Sequence, residues 1–333
     1  MIDENFPLID LHRHLDGNIR LETIIDLGRQ NGIDLPAWYL EELRPYVQVT
    51  DPTQGVMAFI AKFKWMMAVL VDTNACRRVA YENVEDALKE GLDYVELRFS
   101  PWFMAETHGL DPEGVVEAVC AGIQQGKDAF EMPVNLIGVI SRTYGVDIAW
   151  KELDALLAHK ECLVAIDLAG DEANYPGEMF VDHFSRVQEE GLSVVAHAGE
   201  SVDSSSIWQA IRELGAVRIG HAVSAVDDPE LMEYMRANKI GIESNLTSNL
   251  QTSTIQEYSQ HPIKKFLELG LLTNLNSDDP GISGIDLRYE YEVAAPLAGL
   301  TEAEISQAQK NALEIAFLSP EEKQMLKDKA MSR

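Results

Sequence analysis

Eight short apolar runs, most of them rich in β-branched residues, recur along the chain with longer helix-period stretches between them. The strand candidates are Pro7 to His14, Tyr94 to Phe99, Val134 to Ser141, Leu163 to Leu168, Ser193 to His197, Val217 to His221, Ile240 to Glu243 and Leu272 to Asn276. Helix patterns separate most of them, as at Asn83 to Glu90, Pro112 to Phe130, Met179 to Glu190, Ser206 to Leu214, Pro229 to Asn238 and Pro262 to Leu269. Strand–helix alternation repeated this often predicts an α/β fold: a closed (β/α)8 barrel of the TIM type rather than an open sheet. Gly91, Gly191 and Gly270 precede strand candidates where a helix C-cap is expected.

The chain has 333 residues, and α/β barrels commonly use such a length as one domain. No repeat, low-complexity segment or linker divides it, so residues 1–333 read as a single barrel domain. Between the first two strand candidates, Gly55 to Met67 is denser in apolar positions than one helix face needs. It predicts additional helices packed on the barrel, or a lid with Phe59 and Phe63 one turn apart facing a substrate. Thr301 to Arg333 predicts C-terminal helices, a packed cap with a frayed end.

Hydrophobic residues make up 46% of the chain, which supports a large core. The net charge of −28 repels nucleic acid and anionic membranes, so a small neutral substrate fits best. The first residues show no signal peptide, and no run is long enough to cross a bilayer. Cys76, Cys120 and Cys162 are scattered, as in a reducing compartment, and a cytoplasmic location is expected. No sequence signature bears on the oligomeric state.

Chemistry concentrates at the ends of the strand runs. In Leu11-His12-Arg13-His14-Leu15-Asp16-Gly17, a strand turns His12 and His14 to one face and Arg13 to the other. His197 closes the fifth run and Asp278 follows the eighth. Three imidazoles and a carboxylate, gathered at the C-terminal mouth of a barrel, read as a catalytic zinc site. Glu200, just past His197, reads as a carboxylic acid able to donate a proton from a closed pocket. His221 ends the sixth run and is not needed as a ligand. Asp279 points away from Asp278 toward a substrate, and Gly170 would let backbone approach a flat ligand closely.

The segments Leu11 to Asn18, Asp167-Leu168-Ala169-Gly170-Asp171-Glu172, His197-Ala198-Gly199-Glu200, Gly220-His221 and Asn276-Ser277-Asp278-Asp279-Pro280 resemble, in order and spacing, the signatures of adenosine deaminases of the amidohydrolase superfamily. The resemblance covers nearly the whole chain. It implies one Zn2+ on His12, His14, His197 and Asp278, with Glu200 as proton donor to N1 of the purine. It implies that His221 orients or deprotonates the metal water, that Asp279 contacts N7, and that the Gly170 N–H faces N3. His14 and Asp16 would lie near the ribose. The implied reaction is deamination of adenosine, and of 2′-deoxyadenosine, in purine salvage. Two departures stand out: Ala222 where the family has a Gly-His-Gly, and Asn245 where relatives often carry Cys. Neither is expected to alter the chemistry.

Two rival readings remain at this stage. An adenine or other aminopurine deaminase would share every metal residue, though Asp16 and the Asp171–Glu172 pair favour a nucleoside. A catalytically inactive nucleoside-binding protein would keep the barrel and lose a ligand or the proton donor. The nucleic-acid zinc deaminases use a Pro-Cys-x-x-Cys ligand run that this chain lacks.

Overall fold

The computed structural model describes residues 2–50 and 55–333. Its eight strands are β1 (Ile9–His14), β2 (Tyr94–Phe99), β3 (Val134–Ser141), β4 (Leu163–Ala169), β5 (Ser193–Ala198), β6 (Arg218–His221), β7 (Gly241–Ser244) and β8 (Leu272–Leu275). They form one sheet in chain order, every adjacent pair parallel. Helices on the outside bury nearly every strand residue, which is why the runs read as continuously apolar rather than alternating.

The seam between β1 and β8 closes differently from the other pairs. A single parallel bridge joins Arg13 to Asp278. Its bonds run from the His14 N–H to the Asp278 carbonyl, 2.7 Å, and from the Asp278 N–H to the His12 carbonyl, 2.8 Å. Side chains complete the join: Asn276 Oδ1 accepts from the Leu11 N–H at 3.0 Å, and Ser277 Oγ donates to Asp10 at 2.5 Å. The barrel is therefore nearly closed, and the residues that close it flank the candidate ligands.

Most element boundaries fall close to the sequence expectation. Pro112–Phe130 is a helix as read, and Gly91, Gly191 and Gly270 adopt φ values of 79°, 80° and 73°, as C-caps require. Three regions differ. The first strand begins at Ile9 instead of Pro7, because the Leu8 N–H is taken by Asp93 at 2.9 Å. The helix expected from Asn83 starts at Thr73, where Asp72 accepts from the Ala75 N–H at 2.8 Å. Its charged outer face hid the buried stripe of Ala75, Cys76, Val79 and Ala80. The C-terminal end is anchored rather than frayed: helices Glu302–Ile315 and Pro320–Met331 both begin with capping boxes, and the Arg333 guanidinium pairs with Asp93.

Additional helices do fill the long β1–β2 connection, among them Leu21–Asn31, Leu40–Val47, Val56–Ile60 and Lys64–Ala68. Phe59 and Phe63 are buried there, with ring centroids 6.2 Å apart, and Phe63 lies 5.4 Å from Phe103.

Candidate active site

The C-terminal strand ends surround a pocket. It is lined by His14, Asp16, Gly170, His197, Glu200, His221, Asp278 and Asp279, together with Phe59 and Phe63. His12 lies beneath it, fully buried. The candidate ligands, Glu200, His221, Asp16, Gly170 and Asp279 thus gather at one mouth.

The imidazoles are oriented from below. His12 Nδ1 is 2.8 Å from Glu243 Oε2, and His197 Nδ1 is 3.0 Å from Asp167 Oδ2. Burial opposes the charge on Glu243, but Arg98 and Arg218 outweigh it and hold its carboxyl well below the usual range. Burial likewise opposes Asp167, and His197 and Arg98 overcome it. Both carboxylates therefore accept, each Nδ1 carries its proton, and the two Nε2 lone pairs face the site. His12 Nε2 is buried, has no hydrogen-bond partner among the described residues, and lies 3.1 Å from Asp278 Oδ1. His14 Nε2 lies 3.4 Å from His197 Nε2 and 3.7 Å from Asp278 Oδ1. The bare His12 Nε2 and the Asp278 carboxylate oxygen repel at 3.1 Å unless a proton or a cation lies between them. Donor atoms of His12, His197, His221 and Asp278 all lie within 4.8 Å of one another, so a His/Asp group able to hold a metal is present.

Glu200 stands across from the candidate ligands, partly buried, its Oε2 3.7 Å from His221 Nε2. Burial first, then Asp278 and Glu172, push its carboxyl up to about 8. Asp279 is also raised, by burial and by its neighbour Asp278, and its Oδ1 is buried without a partner. Gly17 makes room for it, since a Cβ there would meet Asp279 Oδ1 at 1.7 Å. Asp16 accepts from the Ser100 N–H through Oδ2 at 3.0 Å and leaves Oδ1 unbonded near His14. Gly170 has a φ of 107°, and a Cβ would come within 2.4 Å of Thr143 Oγ1. His221, Ala222 and Asp278 hold φ values of 67°, 51° and 60°. Of these, His221 and Asp278 line the pocket, where such strain in non-glycine residues is held by the surrounding structure.

One sequence reading needs correction. Asp171 and Glu172 do not line the pocket. Glu172 accepts from the Gly199 and Ser201 N–H groups at 2.6 and 2.9 Å, clamping the turn that presents Glu200, while Asp171 bonds Asn174. Ala222 is not among the residues that line the pocket, and it carries a left-handed backbone conformation. The sequence reading also passed over the support beneath the site. Arg98 bridges Asp167 and Glu243 at 2.7 and 2.8 Å, Arg218 bridges Glu96 and Glu243, and Arg142 donates to the His197 carbonyl at 2.7 Å. The available signal was a charge embedded in an otherwise buried strand, which must be paired to persist.

The family model for adenosine deaminase matches residues 7–332. The chain belongs to the adenosine deaminase family. An adenosine deaminase of Vibrio parahaemolyticus is 56% identical over 333 residues, covering 100% of both chains. Another, from Shewanella loihica, is 55% identical over 326 residues and 98% of each chain. Among solved structures, the adenine deaminase of Arthrobacter aurescens gives a TM-score of 0.90 at 27% identity, covering 98% of each chain. The N6-methyl-AMP deaminase of Arabidopsis thaliana gives 0.82 at 25%, covering 99% of this chain and 97% of that one. These neighbours share the barrel of the amidohydrolase superfamily. Among the described residues, no helix is long and apolar enough to cross a membrane.

Proposed function

We propose that this protein hydrolytically deaminates adenosine, and 2′-deoxyadenosine, to inosine or deoxyinosine and ammonia. Residues 1–333 act as one metal-dependent barrel domain, serving purine salvage in the cytoplasm. The observation that carries the reading is a Glu200 carboxyl, pushed up to about 8 by its surroundings, in one pocket with His14, His197 and Asp278, above a buried His12 Nε2 that has no hydrogen-bond partner among the described residues.

The donor set fits zinc, held by His12, His14, His197 and Asp278. When bound, the ion supplies a Lewis acid that makes water a nucleophile near neutral pH. The protein supplies the rest. Phe59 and Phe63 cover the purine face. Glu200 passes its proton to N1 as water attacks C6, so the ring accepts electrons without separated charge. Asp279, kept protonated by its surroundings, donates to N7, and the Gly170 backbone faces N3. His221 orients or deprotonates the attacking water. The unbonded Asp16 oxygen suits a ribose hydroxyl, which favours a nucleoside over free adenine.

The test is adenosine conversion followed by absorbance, with and without a chelator. Activity should vanish on chelation and return with zinc. Glu200→Gln should keep metal and substrate affinity while kcat falls about 100- to 10,000-fold. A near-wild-type kcat in that variant would remove Glu200 from the mechanism.

A further inference from the structure

Asn249 lies behind the pocket wall on the helix Leu246–Gln251, fully buried. Its Nδ2 is 3.0 Å from His221 Nδ1 and 3.4 Å from Glu200 Oε1. Its Oδ1 is 3.2 Å from His261 Nε2. His261 is set in turn by a group that only donates: the Ile263 backbone N–H lies 3.2 Å from His261 Nδ1.

The proton positions follow in order. A peptide N–H cannot accept, so His261 Nδ1 must. Burial, and then His221, push His261 down to about 3, so the ring is neutral with its one proton on Nε2. That proton goes to Asn249 Oδ1, which leaves the Asn249 amide a single orientation. Its N–H groups then face His221 Nδ1 and Glu200 Oε1. Asn245 adds a second donor to His221 Nδ1 at 3.3 Å. With Nδ1 accepting, the neutral His221 ring carries its proton on Nε2, the nitrogen that faces the pocket, 3.7 Å from Glu200 Oε2 and from Asp278 Oδ2. With Oε1 accepting, the Glu200 acid proton belongs on Oε2.

We propose that Asn249 and His261 are positioning residues that assign both mobile protons of the site, placing one on His221 Nε2 and the other on Glu200 Oε2. The proposal rests on the reading of Glu200 and His221 as the reacting pair. It decides between the two roles open to His221. An Nε2 that already bears hydrogen has no lone pair for a proton or a metal ion. His221 therefore donates to the attacking water, orienting it, and lies outside the ligand set.

Nitrogen NMR on zinc-loaded protein labelled with 15N-histidine reads which ring nitrogen bears hydrogen, and His221→Asn identifies the His221 signals by their loss. The wild type should show His221 protonated on Nε2. His261→Phe removes the donor to Asn249. It should mix the two His221 tautomers and lower kcat about tenfold or more, with KM and zinc content unchanged. His261→Gln, whose amide can still donate to Asn249, should restore both readouts. A wild-type His221 with hydrogen on Nδ1, or with a metal-shifted Nε2, overturns the proposal without any variant. So does a His261→Phe protein with wild-type tautomer and kcat, or a His261→Gln protein no better than it. The spectra need no substrate, so absence of adenosine turnover in the wild type would instead count against the proposed function.

Discussion

At the scale of single residues, two carboxyl groups in one pocket are driven apart by what surrounds them. Asp278 is drawn below the usual carboxylate range, against the cost of burial, by the imidazoles around it, His12 first and then His221 and His14. Glu200 meets burial and two neighbouring carboxylates, and is pushed up to about 8. A group raised in this way holds its proton below that value and loses it above. With Glu200 as the acid, kcat should stay level on the acid side of about 8 and fall as pH rises through it. The residual rate of Glu200→Gln should lack that descending limb, and pH–rate profiles of the two proteins check it. Support beneath a ligand matters in the same way. Asp167 accepts from His197 and from Arg98, so Asp167→Asn should lower zinc affinity by about 10- to 100-fold, measured by chelator competition. The variant should also lose about 3 kcal/mol or more in denaturant unfolding, because Arg98 would be left buried with one charge partner fewer.

At the scale of elements, the short helices between β1 and β2 do what neither a pure packing role nor a pure lid role describes alone. Phe59 and Phe63 are buried against the protein and also line the pocket. Phe63→Ala should raise KM for adenosine about tenfold, the value of roughly one lost aromatic contact, while kcat changes less. A selective collapse of kcat in steady-state kinetics would place the chemistry, not the binding face, on this segment. The strands were legible as apolar runs, and the candidate ligand positions because the first, fifth and sixth runs end in histidine and Asp278 closely follows the eighth. His12, His197, His221 and Asp278 needed only the rule that barrel sites gather at C-terminal strand ends. Asn249 and His261 were not legible. Their roles depend on a hydrogen-bond chain across a helix and a loop, and no periodicity marks a side chain that acts through another. Asn245 was underrated for the same reason, since its contact with His221 exists only after β6 and β7 pair.

At the scale of the whole molecule, an acidic chain keeps three of its bulkiest buried side chains cationic: Arg13, Arg98 and Arg218. Arg98 and Arg218 fill the barrel interior with ion pairs where such barrels usually hold aliphatic layers. They tie β2, β4, β6 and β7 together beneath the site. The β1–β8 seam lacks such an ion-pair tie and is held by the Arg13–Asp278 bridge and the Asn276 and Ser277 side-chain bonds. The proposed ligand set spans that same seam, with His12 and His14 on one side and Asp278 on the other. A bound ion would thus cross-link the weakest join of the barrel. Binding only to the folded state, it should add about 4 kcal/mol when zinc is about a thousandfold above its dissociation constant. Chelation should therefore lower the melting temperature by several degrees. Amide hydrogen exchange should accelerate at His14 and Asp278, whose N–H groups make the bridge, and stay unchanged along the β3–β4 ladder. Equal acceleration around the whole barrel would mean that the ion stabilises the fold without closing the seam. An unchanged melting temperature would mean that these four side chains do not share a metal.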